Sequence, residues 1–192
     1  MKAHLNPFAP NRVQRLLPFD PLLAGSSWDS IESDWEQLDR RAAVIGHHGS
    51  GKTTFLETFR TRLEKDWQIV SLFYNRNNRE LSPYDRKLLL NLTSPEKTIV
   101  LIDGEGHLKV NERIWLRRFT RDCAGYLVAR HHRSCLPTLL KLNSSPTLAL
   151  ELLARINLEN PEAAQKQLPK ILKKKRGNLR ETWLTLYDYY AS

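Results

Sequence analysis

Apolar residues recur every three or four positions in some stretches of the chain and form short continuous runs in others. From Ser27 the segment SSWDSIESDWEQLDR sets Trp28, Ile31, Trp35 and Leu38 at helical spacing, with Ser27 able to cap the first turn. AAVIG then predicts a short buried strand. Helical spacing returns from Ser50 to about Lys65, with Phe55, Leu56, Phe59 and Leu63 on one side. QIVSLFY, β-branched and aromatic, predicts a second strand, and SPYDRKLLLNL a short helix ending near Ser94-Pro95. KTIVLIDGEG contains an apolar run too uniform for a surface strand, as expected of a parallel strand covered on both faces. NERIWLRRFTRDC predicts a helix, GYLVARHH a strand, and LPTLLKL a last strand.

Strands alternating with helices imply βαβ units, hence an α/β fold built on a parallel sheet. After about Ser144 the pattern changes. SPTLALELLARI, NPEAAQKQLPKILKKKR and NLRETWLTLYDYY are all helical in character, with no strand between them. Ser144 or Ser145 before Pro146, and Asn160 before Pro161, are caps followed by an early proline. Pro169 predicts a break in the middle stretch. Residues 1–26 hold five prolines or glycines and little periodicity, which predicts an extended arm. The expected organisation is therefore an arm at 1–26, an α/β domain at 27–143 and a small helical domain at 144–192.

Composition narrows the class. A chain of 192 residues, 41% hydrophobic and 27% charged, is globular rather than disordered and has room for one core and a small satellite. No apolar run approaches the roughly 20 residues that span a bilayer. Prolines and arginines interrupt the N-terminal MKAHLNPFAPNRVQRLLPF, so it does not read as a secretory signal. Two cysteines, Cys123 and Cys135, lack any paired-motif spacing and read as free thiols; the expected compartment is cytoplasmic. The net charge of +9 is uneven. Residues 1–40 hold four basic and six acidic side chains, 41–110 eleven and eight, and 111–192 fifteen and seven. A basic C-terminal third, including Lys173, Lys174, Lys175 and Arg176, suits a nucleic acid or acidic protein partner, and equally a solvated face.

The chemistry concentrates in VIGHHGSGKTTFLETF. Gly46-x-x-x-x-Gly51-Lys52-Thr53 fits the phosphate-binding loop pattern, with a strand before it and a helix after. Gly46, Gly49 and Gly51 allow positive φ and leave room for backbone N–H groups around phosphate oxygens, with Ser50 inside the same turn. The helix after the loop aims its unpaired N–H groups and positive dipole end at the same anion. Lys52 supplies a mobile positive charge to the β- and γ-phosphates, Thr53 a hydroxyl to Mg²⁺, and Thr54 lies beside the α-phosphate. Neither His47 nor His48, in variable positions of the loop, needs a catalytic role. TIVLIDGEG supplies an acid at a strand end, Asp103, to coordinate Mg²⁺ directly or through water. Gly104 occupies the slot after it, and Glu105 is the candidate for orienting an attacking water.

TIVLIDGEG resembles the Walker B motif of P-loop NTPases. RGNLRE, residues 176–181, ends one helix at Gly177 and opens another with Asn178 as N-cap and Glu181 at the capping-box position. It also resembles the sensor 2 segment of AAA+ ATPases, in which Gly-Asn-x-Arg opens the third helix of a lid. The resemblance to that group covers roughly residues 40 to 190. It implies a three-layer αβα sandwich with a helical lid, ATP as ligand, and Arg180 as the lid's contact with the β- and γ-phosphates. The polar sensor 1 residue usual in that group is missing at the end of GYLVARHH, where Arg130 or His131 takes its place. Arg133 falls where such proteins carry an arginine finger for a neighbouring subunit, on shorter spacing, so an oligomer is possible but not required.

Three functions fit. The first is a Mg²⁺-dependent, ATP-hydrolysing switch whose lid reports the γ-phosphate to a partner. The second is a small kinase with Arg76, Arg79 and Arg86 of NRNNRELSPYDR around an acidic acceptor. The third is a nucleotide-dependent nucleic-acid-binding or adaptor module with little turnover. No guanine-selecting Asn-Lys-x-Asp segment appears.

Overall fold

The computed structural model describes residues 6–132, 134–158 and 160–191. Five strands form one wholly parallel sheet: β1 (Arg41–Gly46), β2 (Gln68–Phe73), β3 (Thr98–Asp103), β4 (Gly125–Arg130) and β5 (Thr138–Leu142), in the order β2-β3-β4-β1-β5. The expected α/β class is therefore correct. The strand that ends in Asp103 is not β1's direct neighbour: β4 is inserted between them. Strand order is a tertiary choice that apolar runs do not encode.

Helices cover both faces of the sheet. Side chains alternate across a strand, so neighbouring residues enter different cores. Ala42, Val44, Ile99, Leu101, Leu127 and Ala129 face α2 (Trp28–Gln37) and α3 (Lys52–Leu63), where Trp35, Phe55 and Phe59 are buried. Ala43, Val100, Ile102, Tyr126 and Val128 face the other way, against α4 (Pro83–Leu90) and α5 (Val110–Phe119). Each fully buried Leu, Ile or Phe contributes about 1.5–3 kcal/mol. β3 is buried at every position except Asp103, whose strand end opens to the site.

A third core lies in the C-terminal helices α6 (Pro146–Ala154), α7 (Pro161–Lys174) and α8 (Leu179–Ala191). Ser145 caps α6, its hydroxyl accepting from Leu148 N at 3.0 Å. Pro169 does not break α7, contrary to expectation. Ala164, Leu168 and Leu172 stay buried along one face, and the carbonyl that Pro169 leaves unpaired belongs to exposed Gln165.

The N-terminal segment is not a plain extended arm. Pro10 opens α1 (Pro10–Leu16), and a 3-10 turn follows at Pro21–Ala24. The segment ties the two parts of the molecule together. Phe8 is fully buried with Trp183 and Tyr190, and Asn6 Nδ2 donates to Tyr187 O at 2.8 Å. Phe19 packs edge-on against Phe55, and its N–H donates to Thr58 Oγ1 at 3.1 Å. Among the described residues, no helix is long and apolar enough to cross a membrane.

Candidate functional site

The loop between β1 and α3 has the geometry its residue types predict. Gly49 and Gly51 adopt positive φ, 69° and 93°. A Cβ on Gly46 would sit 2.5 Å from Leu142 O and collide with Ser50 Oγ, so this position has no space for a side chain. Ser50 N donates to His47 O at 3.3 Å, whereas the amides of Gly49, Gly51, Lys52, Thr53 and Thr54 make no backbone bond among the described residues. Ser50 Oγ is buried and has no hydrogen-bond partner among the described residues. Unpaired donors around one turn and an orphaned hydroxyl are the features a polyphosphate would satisfy.

Lys52 is buried, at 7% exposure, and donates to Gly46 O and His47 O at 2.7 Å each. Burial lowers its pKa to about 8, and the Asp103 charge partly offsets that. Thr53 Oγ1 donates to Asp103 Oδ2 at 2.5 Å, so hydroxyl and carboxylate meet across the inserted β4. A hard oxygen pair beside unpaired amides fits Mg²⁺, which takes few protein ligands and completes its shell with other oxygens, water included. Thr54 is half-buried at the head of an open groove of about 380 Å³ lined also by Gln14, Pro18 and Trp28.

His131 follows β4 directly, which places it beside the loop. Its Nδ1 is 3.3 Å from Lys52 Nζ, and its ring centroid is 3.6 Å from that of His48 and 5.7 Å from that of His107. Burial, then the Lys52 and His48 charges, lower the His131 pKa to about 4. His48 is lowered too, by burial and then by Lys52, Arg76 and other histidines. Of the two sensor 1 candidates, His131 meets the loop while Arg130 turns into the core. His48, which its variable position in the loop left without an expected role, contacts the His131 ring here. Strand order was the missing signal, because β4 aims its end at the loop only when it lies next to β1.

Glu105 does not occupy the expected place. Gly104 turns at φ 78°, and a 3-10 turn carries Glu105 into the interior at 0% exposure. There its carboxylate stands 3.4 Å from Arg117 Nη2 and 3.3 Å from Arg130 Nε. A carboxylate held between two guanidiniums and shut off from solvent is not positioned to orient water. Arg86, a candidate for an acidic acceptor, is also committed: it pairs with buried Glu112 at 2.6 Å and lies over the Trp115 ring.

The C-terminal helices touch the loop directly. Leu179 N, at the start of α8, donates to Gly49 O at 3.2 Å, and a Cβ on Gly49 would overlap Asn178 Oδ1. Asn178 caps α8 by accepting from Glu181 N at 3.1 Å. The reciprocal half of the capping box is replaced by a Glu181–Lys175 pair at 3.5 Å. Arg180, one residue beyond the contact with Gly49, is exposed and makes no ion pair among the described residues. Arg133 lies outside the described residues.

A parallel sheet of this order, a loop of this form and three C-terminal helices packed beside it recur in solved structures. The fold is that of the AAA+ P-loop ATPases. Cdc6p from Pyrobaculum aerophilum superposes with a TM-score of 0.61 at 14% identity, covering 94% of this chain and 63% of the other. Two mutant forms of RuvB from Thermotoga maritima give TM-scores of 0.54 and 0.50 at 18% and 16% identity. They cover 91% and 82% of this chain and 59% and 60% of theirs, so the chain spans about three fifths of the length of these structures. No protein-family profile and no curated protein matches the sequence.

Proposed function

We propose that the chain binds ATP with Mg²⁺ and hydrolyses it, and that its lid passes the state of the γ-phosphate to a partner. The observation that carries this reading is the set of unpaired amides after Gly46, next to the Thr53–Asp103 pair at 2.5 Å. The amides of Gly49, Gly51, Lys52, Thr53 and Thr54 receive phosphate oxygens, and Ser50 Oγ adds a donor. Lys52 leaves the two loop carbonyls for the β- and γ-phosphates. Thr53 and Asp103 hold Mg²⁺, which supplies charge neutralisation at the transferring group. Arg180 approaches the same phosphates from α8, because the contact of Leu179 with Gly49 sets it at the loop's edge.

Calorimetry with Mg-ATP tests this reading. The parent should bind, and Lys52→Ala should fold but lose the binding heat. A folded Lys52→Ala variant that binds ATP as the parent does would remove the loop from the account. A hydrolysis assay with and without candidate acceptors separates ATPase from kinase. The kinase reading has lost Arg86 to the Glu112 pair.

A specific observation favours a nucleic acid as the partner. Lys166, Lys170, Lys173 and Lys174 are exposed on α7, and none has an ion pair among the described residues. Lys166, Lys170 and Lys174, spaced four apart, are about 6 Å apart along the helix, a spacing suited to successive phosphates, and Lys173 lies beside them. Replacing all four with Gln should flatten the salt dependence of DNA or RNA binding by a log–log slope of about 3 to 4. An unchanged slope would leave that face as a solvated one.

A further inference from the structure

The mouth of the loop gathers imidazoles from three separate segments. His48 belongs to the loop, His107 to the turn after β3, and His131 to the end of β4. Their rings meet at His131, which also approaches Lys52 Nζ at 3.3 Å. Arg76 from the β2–α4 connection and His132 add positive charge around His48, and Asp103 from β3 is the carboxylate acting on Lys52. The described residues around this cluster contain no grouping suited to a metal ion. Three imidazoles gathered beside the Lys52 ammonium, with the Arg76 charge acting on His48, make a seat for an anion.

We propose that His131, supported by His48, receives the terminal phosphate of a bound nucleoside triphosphate, so that binding transfers one proton from solution to the His131 imidazole. This rests on the nucleotide reading above and specifies which phosphate the histidines recognise. With no anion present, burial and its cationic neighbours keep His131 neutral, and its Nδ1 can accept from the Lys52 ammonium. A polyphosphate reverses both influences. It draws Lys52 away from the ring and puts negative charge beside it, so the imidazolium becomes the favoured form and donates to a phosphate oxygen.

The sign follows from linkage. The His131 pKa is about 4 in the free protein and higher in the complex, so the complex holds more protons between those two values. ATP affinity therefore rises as pH falls through that window, by up to about tenfold per pH unit. A diphosphate ends short of the histidines and lacks this dependence.

Calorimetry at pH 6.5, in two buffers of different ionisation heat, counts the protons taken up with Mg-ATP and with Mg-ADP. The nucleotide's own proton cancels when parent and variant bind the same ligand. The parent should take up roughly half to one proton more per ATP than His131→Asn, and show no such difference with ADP. His48→Asn should reduce the uptake rather than remove it. His131→Gln repeats the comparison if His131→Asn fails to fold. Equal uptake in parent and folded His131 variants would overturn this proposal alone. An absence of ATP binding heat in the parent would overturn the nucleotide reading, and this proposal with it.

Discussion

Replacing Glu105 separates two accounts of this protein's chemistry. A glutamate just beyond the Asp103 strand end is where a water-orienting residue is expected, yet here it is enclosed with Arg117 and Arg130. Removing one member of a buried ion cluster costs about 3–5 kcal/mol, mostly because the charges left behind have no partner. Two features favour the lower end. The separations, 3.4 and 3.3 Å, exceed the roughly 2.7–2.9 Å of a strong charged hydrogen bond. Arg117 and Arg130 also retain 27% and 12% side-chain exposure, so water can reach part of each guanidinium. Glu105→Ala should therefore lose about 3 kcal/mol. For a domain of this size that lowers the melting temperature by about 6–12 °C. Glu105→Gln keeps an oxygen acceptor without its charge and should lose about half as much. Thermal unfolding by circular dichroism without nucleotide measures both. Suppose Glu105→Gln melts within about a degree of the parent and stops ATP hydrolysis while ATP stays bound. The carboxylate would then act on water, and the core-anchor account would be wrong.

Other expectations concern the lid and the loop. Arg180→Ala should bind ADP as the parent does and ATP less tightly, narrowing the ATP-to-ADP preference; an unchanged ratio by calorimetry would count against lid contact with the γ-phosphate. Gly49→Ala meets both a φ of 69° and the Asn178 side chain, so it should lose at least about 1–2 kcal/mol and loosen α8 from the loop. Hydrogen exchange at the Leu179 amide reads this directly, and unaltered protection would mean that the contact is incidental. Lys52 titrates near 8 when folded and at 10.5 ordinarily, so the unfolded chain holds more protons between those values. Stability should rise with pH from about 8 to above 10 through this group, and be flat below 8. Urea midpoints for parent and Lys52→Ala at pH 8 and pH 10 isolate its share, and parallel shifts in the two would rule it out.

The apolar pattern and a handful of motif residues settle much of this protein locally. β3 is legible because a strand buried on both faces needs an unbroken apolar run, and Ile99, Val100, Leu101 and Ile102 provide one. The loop is legible because only glycines tolerate its positive φ values and its close approach to Leu142 O. Asn178 is legible as a cap because its side chain needs to reach only three residues ahead. These are short-range requirements, written in adjacent residues.

Other features depended on contacts between segments far apart in the chain. Pro169 stays within α7 because packing by Leu168 and Leu172 outweighs a local helix-breaking preference. Phe8 and Phe19 fix an N-terminal segment that has no periodicity of its own to announce the cores it enters. Whether Glu105 faces water or two arginines turns on Gly104 and on side chains 12 and 25 positions further along. His131 meets Lys52 only because β4 takes the place beside β1, and strand order is fixed by how whole helices cover a sheet. Residue identity thus determined which groups surround the loop, while the folded arrangement decided which of them line its mouth and which are paired inside.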